Sequence, residues 1–319
     1  MRISDVKKKI KSELSDLYSK SEIEELFSIL CEHFLNLNKI ELRHSLENEL
    51  LEDDSNKFVE AISELKTGKP FQQILGETEF YGLKFFVNEH VLLPRPETEE
   101  LLELAINKIK EKTQKNQVFN DRLREPQPDN DDEDQTKNFP VLKLSNSQTK
   151  ILDIGTGSGI IPIVLKKHFP EAEVFAIDIS NEALEVAKRN AEFHRVEINF
   201  IHKDYLTEVF DSAQTDNEMY DVIISNPPYI GIEENLEIEE SVKSFEPNLA
   251  LFSPTSDALI FYRKIAEDCK NHLKEGGLLF LEINQKLGKE TLELYQDDFS
   301  QVELLKDISW NDRMIFGRK

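Results

Sequence analysis

The sequence predicts an α/β protein: a Rossmann-like, doubly wound and mostly parallel sheet, preceded by an all-α domain. Three observations carry that expectation. From residue 150 onward, short apolar runs alternate with amphipathic stretches, the order expected of successive βα units. The first of these runs enters a glycine turn, Gly155-Thr156-Gly157-Ser158-Gly159, which opens directly onto a helix-forming segment. Ahead of residue 75, by contrast, apolar residues recur mainly at three- and four-residue spacings.

Taken in order, Ile3, Val6, Ile10, Leu14 and Leu17 mark a first amphipathic helix, and Ile23, Leu26, Phe27, Leu30 and Phe34 a second. Phe58, Ile62 and Leu65 mark a third, stopped at Gly68 before Pro70. Residues 1–75 therefore read as a helical domain, either a stabilising cap or a recognition module. The period then switches to two in Thr78–Val87, giving two short strands that turn near Gly82. That hairpin forms a connector, 78–93, into a second domain spanning 76–319. Glu97 to about Lys112 is again helical, with acidic residues gathered in its first turn. Residues 113–148 change character. The run Glu125-Pro126-Gln127-Pro128-Asp129-Asn130-Asp131-Asp132-Glu133-Asp134 has no apolar side chain, so the segment is expected to be a disordered acidic insert. Strands follow at 150–154, 173–178, 197–202, 220–225 and 277–283, with helices between most of them. Val302–Ile308 and Arg313–Gly317 form a closing hairpin, so the sheet has seven strands and an antiparallel edge.

Composition narrows the function. The chain has 319 residues and a net charge of −23, which argues against a broad electrostatic grip on nucleic acid. An acidic surface also suits a basic protein partner. The only cysteines, Cys31 and Cys269, are far apart, and the seven histidines show no paired-ligand spacing, so no metal centre is expected. Met1–Lys11 is charged and lacks the apolar core of a signal peptide, and no run is long enough to span a membrane. A cytoplasmic protein without membrane attachment is the expectation.

Asn226-Pro227-Pro228-Tyr229 follows the buried-strand run Tyr220–Ser225, at the strand end where open α/β sheets place their ligands. The Asn226 side-chain oxygen and the Pro227 carbonyl can together accept both N–H groups of a planar amino group. Pro227 and Pro228 fix the backbone and contribute no donors, and Tyr229 offers a ring to stack on the plane. Such a slot suits delivery of a group to an amide or exocyclic nitrogen. Alone, the four residues read more readily as a proline-rich turn after a strand.

The glycine loop supplies context. Its spacing is G-x-G-x-G, neither the dinucleotide fingerprint nor a P-loop. Gly155, Gly157 and Gly159 allow a sharp turn and close approach, with Thr156 and Ser158 between them, and the helix N-terminus that follows suits a carboxylate. Asp153 lies beneath the loop, where it could face an ammonium group. Asp178 ends the next strand, where it can accept both hydroxyls of a ribose. Asp204 and Tyr205 follow the third strand, where an acid and a ring could hold an adenine. Carboxylate, ammonium, ribose and purine without phosphate describe S-adenosylmethionine better than NAD.

With these residues assembled, the chain resembles the class I methyltransferases and, more narrowly, the release-factor glutamine N5-methyltransferases (the PrmC/HemK group). The specific matches are Gln73-Ile74-Leu75-Gly76, Phe80-Tyr81-Gly82-Leu83, Leu93-Pro94-Arg95-Pro96-Glu97-Thr98-Glu99, the glycine loop and Asn226–Tyr229. The resemblance implies a substrate: the glutamine of the Gly-Gly-Gln loop in class 1 peptide chain release factors. It also implies a monomer whose N-terminal helices help to recognise the factor. Asn226, Pro227 and Tyr229 would be catalytic, Pro228 would complete the substrate slot, and Asn226 would also border S-adenosylmethionine. The acidic insert departs from the compact linker usual in the group. Two competing substrates share the tetrapeptide's chemistry: an exocyclic amine of DNA or RNA (the N6-adenine type) and a glutamine of a ribosomal protein. The net charge weighs against nucleic acid, and the Pro94–Glu99 segment weighs against the ribosomal-protein enzymes. A protein that binds release factors or ribosomes without catalysis is the reading from another class.

Overall fold

A computed structural model describes residues 1–121, 149–208, 219–231 and 240–319. It divides into two compact units. The first comprises Met1–Thr78, Val87–Glu89 and Ile238–Phe245. Its helices are α1 (Ile3–Leu14), α2 (Lys20–Leu35), α3 (Lys39–Ser45), α4 (Glu52–Leu65), α5 (Phe71–Leu75) and, far along the chain, α9 (Glu240–Phe245). Local chemistry sets the starts of two of them. Ser19 accepts from the Glu22 N–H while the Glu22 carboxylate accepts from the Ser19 N–H, and Asn38 and Glu41 repeat the arrangement at α3. The apolar stripes of α1, α2 and α4 meet in one core built from Ile10, Leu14, Leu30, Phe58 and Leu65 and their neighbours. Leu17 is an exception. α1 ends at Leu14 and α2 begins only at Lys20, so Leu17 lies off the helical stripe and is 58% exposed.

The second unit comprises Glu79–Phe86, His90–Glu237 and Glu246–Lys319. The short strands β1 (Glu77–Phe80) and β2 (Leu83–Phe86) pair through Tyr81 and Gly82, both at positive φ, as a tight hairpin turn requires. α6 (Pro96–Asp121) follows. It runs nine residues past the expected end near Lys112, because residues 113–121 contain neither glycine nor proline to stop it. The remainder of the expected acidic insert, 122–148, lies outside the described residues.

The seven-stranded sheet consists of β3 (Lys150–Ile154), β4 (Glu173–Asp178), β5 (Asn199–His202), β6 (Tyr220–Ser225), β7 (Leu273–Glu282), β8 (Gln301–Lys306) and β9 (Asp312–Arg318). Their order is β5-β4-β3-β6-β7-β9-β8, parallel from β5 through β7 and antiparallel at β9 and β8. The chain winds outward from β3 in one direction and returns to start again at β6. The boundary between β3 and β6 is therefore the switch point at which such sheets open a crevice.

Several expected strand bounds shift; β5, for one, begins at Asn199 rather than 197. β7 begins at Leu273 rather than 277, because Gly276 and Gly277 sit within an irregular stretch of strand where the register to β6 slips. β8 ends at Lys306, which leaves Ile308 in the turn and 82% exposed.

Alternation along the strands sorts side chains onto two faces. Ile151, Val222, Ile224, Leu278 and Phe280 pack with Leu102, Ile106 and Ile109 of α6 and with α7 (Ile160–His168). Leu152, Ile154, Ile223, Leu279 and Leu281 pack on the opposite face with Tyr262 and Ile265 of α11 (Ile260–His272) and with Tyr295. The remaining helices are α8 (Asn181–His194), α10 (Asn248–Leu251) and α12 (Gly288–Glu293). Among the described residues, no helix is long and apolar enough to cross a membrane.

Candidate active site

β3 and β6 are parallel neighbours, with Ile154 opposite Ser225. Ser225 Oγ donates to the Ile154 carbonyl at 2.7 Å, tying the two strand ends together. The glycine loop leaves β3 and the tetrapeptide leaves β6 at this same level. A Cβ added to Gly155 would come to 4.0 Å from the Asn226 carbonyl oxygen, so the two segments lie side by side.

The loop is built from backbone requirements. Gly155, Gly157 and Gly159 have φ of +77°, +54° and +79°, a region costly for other residues. Gly159 has a second reason to lack a side chain, since its Cβ would meet that of Ala187 on α8 at 2.9 Å. The Gly155 and Thr156 N–H groups donate to the Ile177 carbonyl, which anchors the loop to β4. Ser158 is buried, and its carbonyl accepts from Asn190 Nδ2 at 2.9 Å. Asn190 itself pairs with both backbone groups of Phe86. Asn190 is fully buried and braces the loop, a role that sequence reading missed.

Asp178 lies at the end of β4, where its Oδ2 accepts from the Gly157 N–H (2.8 Å) and its Oδ1 from the Ser180 N–H (2.9 Å). Burial pushes its carboxyl above the usual range, against the pull of these donors. Asp153 is different. It is fully buried on the α7 face, and neither carboxylate oxygen is met by a hydrogen bond of normal geometry; the Thr156 hydroxyl, also buried, lies near enough to act on it. Burial pushes the Asp153 carboxyl up to about 7; the Thr156 hydroxyl pulls against that shift, and the charge of Asp178 adds to it. Unmatched buried acceptors of this kind cost folding energy, and an ammonium group would supply the missing donors. The acids and the glycine loop thus fit the charged and ribose parts of S-adenosylmethionine.

The third acidic position does not read as expected. Asp204 turns both oxygens onto its own turn, accepting from the Leu206 N–H and the Thr207 hydroxyl. Tyr205 is not at the rim at all. It is 4% exposed and packs in the core with Phe175, Tyr220 and Cys269, while Lys264 Nζ lies 5.2 Å from its ring centroid. An apolar ring just past a short strand buries itself beneath the sheet rather than meeting a ligand. The expectation that Tyr205 holds an adenine is corrected accordingly.

In the tetrapeptide, Pro227 is buried and Asn226, Pro228 and Tyr229 are half-buried. Asn226 Nδ2 donates to Thr98 Oγ1 at 3.3 Å, which turns its Oδ1 the other way. The Thr98 hydroxyl donates to Glu282 Oε2 at 2.7 Å, and Tyr229 Oη reaches Glu282 Oε1 at 3.5 Å. Asn284 Nδ2 donates to the Tyr229 carbonyl at 3.1 Å. Glu282 is fully buried, and burial pushes its carboxyl up to about 7. Upstream of Thr98, Glu246 accepts from the Leu93 N–H and from Arg95 Nη2, fixing the Pro94–Pro96 stretch. Thr98 falls within a segment singled out by resemblance, but Glu282 and Asn284 were missed. For Glu282 the signal was a lone acid closing the apolar run Leu278–Leu281, the same pattern that marks Asp178.

The strand order, the glycine loop and the family models together define the class. The chain matches the model described as Methyltransferase small domain over residues 130–243 and that described as PrmC N-terminal domain over residues 5–76. This is a class I methyltransferase fold with an N-terminal helical domain. A protein from Flavobacterium psychrophilum named release factor glutamine methyltransferase is 41% identical over 316 residues, covering 99% of this chain and 98% of that one. A protein of the same name from Bacteroides thetaiotaomicron is 34% identical, covering 97% of this chain and 98% of that one. The chain belongs to the release factor glutamine methyltransferase family. Among solved structures it matches the human methyltransferase 10 domain containing protein at 18% identity and a TM-score of 0.47, over 75% of this chain and 89% of that one.

Proposed function

We propose that the protein transfers a methyl group from S-adenosylmethionine to the side-chain N5 of the glutamine in the Gly-Gly-Gln motif of class 1 peptide chain release factors. The observation that carries this reading is the adjacency of Asn226 to the glycine loop, with Asn226 Oδ1 turned away from Thr98. Family membership supports the substrate.

Asp153 would hold the cofactor's ammonium group, Asp178 its ribose hydroxyls, and the N-terminus of α7 with the loop its carboxylate. When bound, S-adenosylmethionine supplies a methyl group made electrophilic by a sulfonium. The chain's own residues answer a different difficulty, which is that an amide nitrogen is a poor nucleophile because its lone pair is delocalised. Asn226 Oδ1 and the Pro227 carbonyl accept the two amide hydrogens. They fix the nitrogen and favour the positive charge that grows on it. Tyr229 and Pro228 complete a flat slot that excludes other orientations, and enforced orientation lowers the barrier further. No strong base is needed before transfer, and the proton leaves to water afterwards. Residues 1–75 serve as the substrate-recognition domain, and the protein acts as a cytoplasmic monomer without contacting nucleic acid directly.

The test incubates the purified protein with labelled S-adenosylmethionine and, separately, a class 1 release factor, a ribosomal protein substrate and duplex DNA. Label on the release-factor glutamine alone supports the reading. Label on either of the others overturns the substrate while leaving the tetrapeptide chemistry in place.

A further inference from the structure

The geometry points to Glu282, acting through Thr98, as the positioning residue that decides which end of the Asn226 amide faces the substrate. This rests on the proposed glutamine-methylating reading. An asparagine amide has two ends of nearly equal shape and opposite hydrogen-bonding character. The proposed chemistry works only if the oxygen faces the glutamine, because a second NH2 group there would repel the amide hydrogens. Nothing within the tetrapeptide makes that choice.

The chain of bonds behind it does. Glu282 closes β7 on the same face as Leu278 and Phe280, the face covered by α6, and Thr98 projects from the first turn of α6. An ionised carboxylate can only accept, so the Thr98 hydroxyl must donate its single proton to Glu282 Oε2, at 2.7 Å. The Thr98 oxygen can then only accept, and at 3.3 Å it receives Asn226 Nδ2. Asn226 Oδ1 is thereby turned to the crevice. Glu282 Oε1 meets the Tyr229 hydroxyl at 3.5 Å, so the same carboxylate orients both polar side chains of the tetrapeptide. Its backbone is also held, since Tyr262 Oη donates to the Glu282 carbonyl at 3.2 Å. A fully buried acid that serves packing alone would be a poor choice, because an apolar residue there would cost less.

The relay depends on ionisation. Protonated Glu282 can donate, and the Thr98 hydroxyl is then released to turn toward Asn226. Around the carboxyl, Arg313 of β9 favours ionisation, and Glu97 of α6 opposes it together with burial. Tyr229 and Thr98 donate to it. The balance leaves the group at about 7, so turnover falls as pH drops through neutrality.

The experiment measures methylation of the release-factor glutamine at saturating S-adenosylmethionine from pH 5.5 to 8.5. Saturation removes the separate effect of Asp153 on cofactor binding. For E282Q and T98V, kcat falls about ten- to hundredfold while the cofactor Kd stays within about twofold. The double variant is no worse than the weaker single one, because both break one relay. T98S keeps the hydroxyl and retains most turnover. The acidic limb seen in the wild type is absent in E282Q. A purely structural role would instead lower stability and cofactor affinity together and leave the limb in place. E282Q turnover within about twofold of wild type, with the limb intact, overturns the inference. A wild type that leaves the release-factor glutamine unmethylated overturns the underlying reading instead, and the inference falls with it.

Discussion

Asp153→Asn should gain stability relative to the wild type as pH rises in the cofactor-free protein and, at the same time, weaken its hold on S-adenosylmethionine. The folded carboxyl sits at about 7, against an ordinary value of 3.8. A carboxyl that binds its proton more tightly when folded contributes stability below pH 3.8, and that contribution is lost as pH rises through 7. The rise from 3.8 to about 7 corresponds, at 1.36 kcal/mol per pH unit, to roughly 4 kcal/mol, of which about half is lost between pH 5.5 and 8.5. Asparagine does not titrate, though its buried amide adds a pH-independent cost of about 1–3 kcal/mol. The stability difference between variant and wild type should therefore move by about 2 kcal/mol in the variant's favour from pH 5.5 to 8.5. Glu282 titrates in both proteins and cancels. Urea unfolding at the two pH values, with equal m-values, reads the difference directly. An offset that stays constant to within about 0.5 kcal/mol would show that burial does not hold the Asp153 carboxyl far above its ordinary range. Cofactor binding should show the opposite trend. Wild-type affinity rises over this range as the carboxylate ionises to meet an ammonium group, and the variant's affinity is weaker and flat.

Other substitutions probe other parts of the site. Asp178→Ala, which removes the acceptor at the end of β4, should weaken S-adenosylmethionine about ten- to hundredfold in a titration and leave kcat at saturating cofactor largely intact. Gly159→Ala combines a φ of +79° with a 2.9 Å approach to Ala187, and should lower unfolding stability by about 2–5 kcal/mol. Adding Ala187→Gly should return the packing share of that loss but not the backbone share, as a denaturation series on all four proteins would show. Tyr205→Phe should change cofactor affinity by less than about twofold, because the ring is core rather than rim; a large loss would restore the adenine assignment.

Much of the fold was legible because it is periodic. The alternation that placed strands at 150–154, 173–178 and 220–225 is the same alternation that distributes Ile151 and Leu152 onto opposite faces of the sheet. Glycine and acid at successive strand ends announced the loop and Asp178. Local pattern failed where a long-range contact or an exception to turn chemistry decided the outcome. Leu273–Gly276 fall ahead of the strand expected at 277–283 and instead belong to β7. Tyr205 carries no local mark that distinguishes a stacking ring from a core ring. Thr98 reaches Asn226 across 128 residues and Glu282 across 184, distances over which spacing conveys nothing. The buried polar relay was thus the least readable part of the site, although Thr98, Asn226 and Glu282 each lie within two residues of the end of a regular element.

The most direct measurement is single-turnover methylation of a class 1 release factor by wild type and Asn226→Ala at saturating S-adenosylmethionine, with peptide mass analysis of the Gly-Gly-Gln segment. One methyl group is expected on the glutamine side chain. The variant's rate is expected to be at least about a hundredfold lower, with cofactor affinity nearly unchanged. A variant that transfers at the wild-type rate, or one that loses cofactor binding as severely as turnover, would contradict the role of the Asn226 amide.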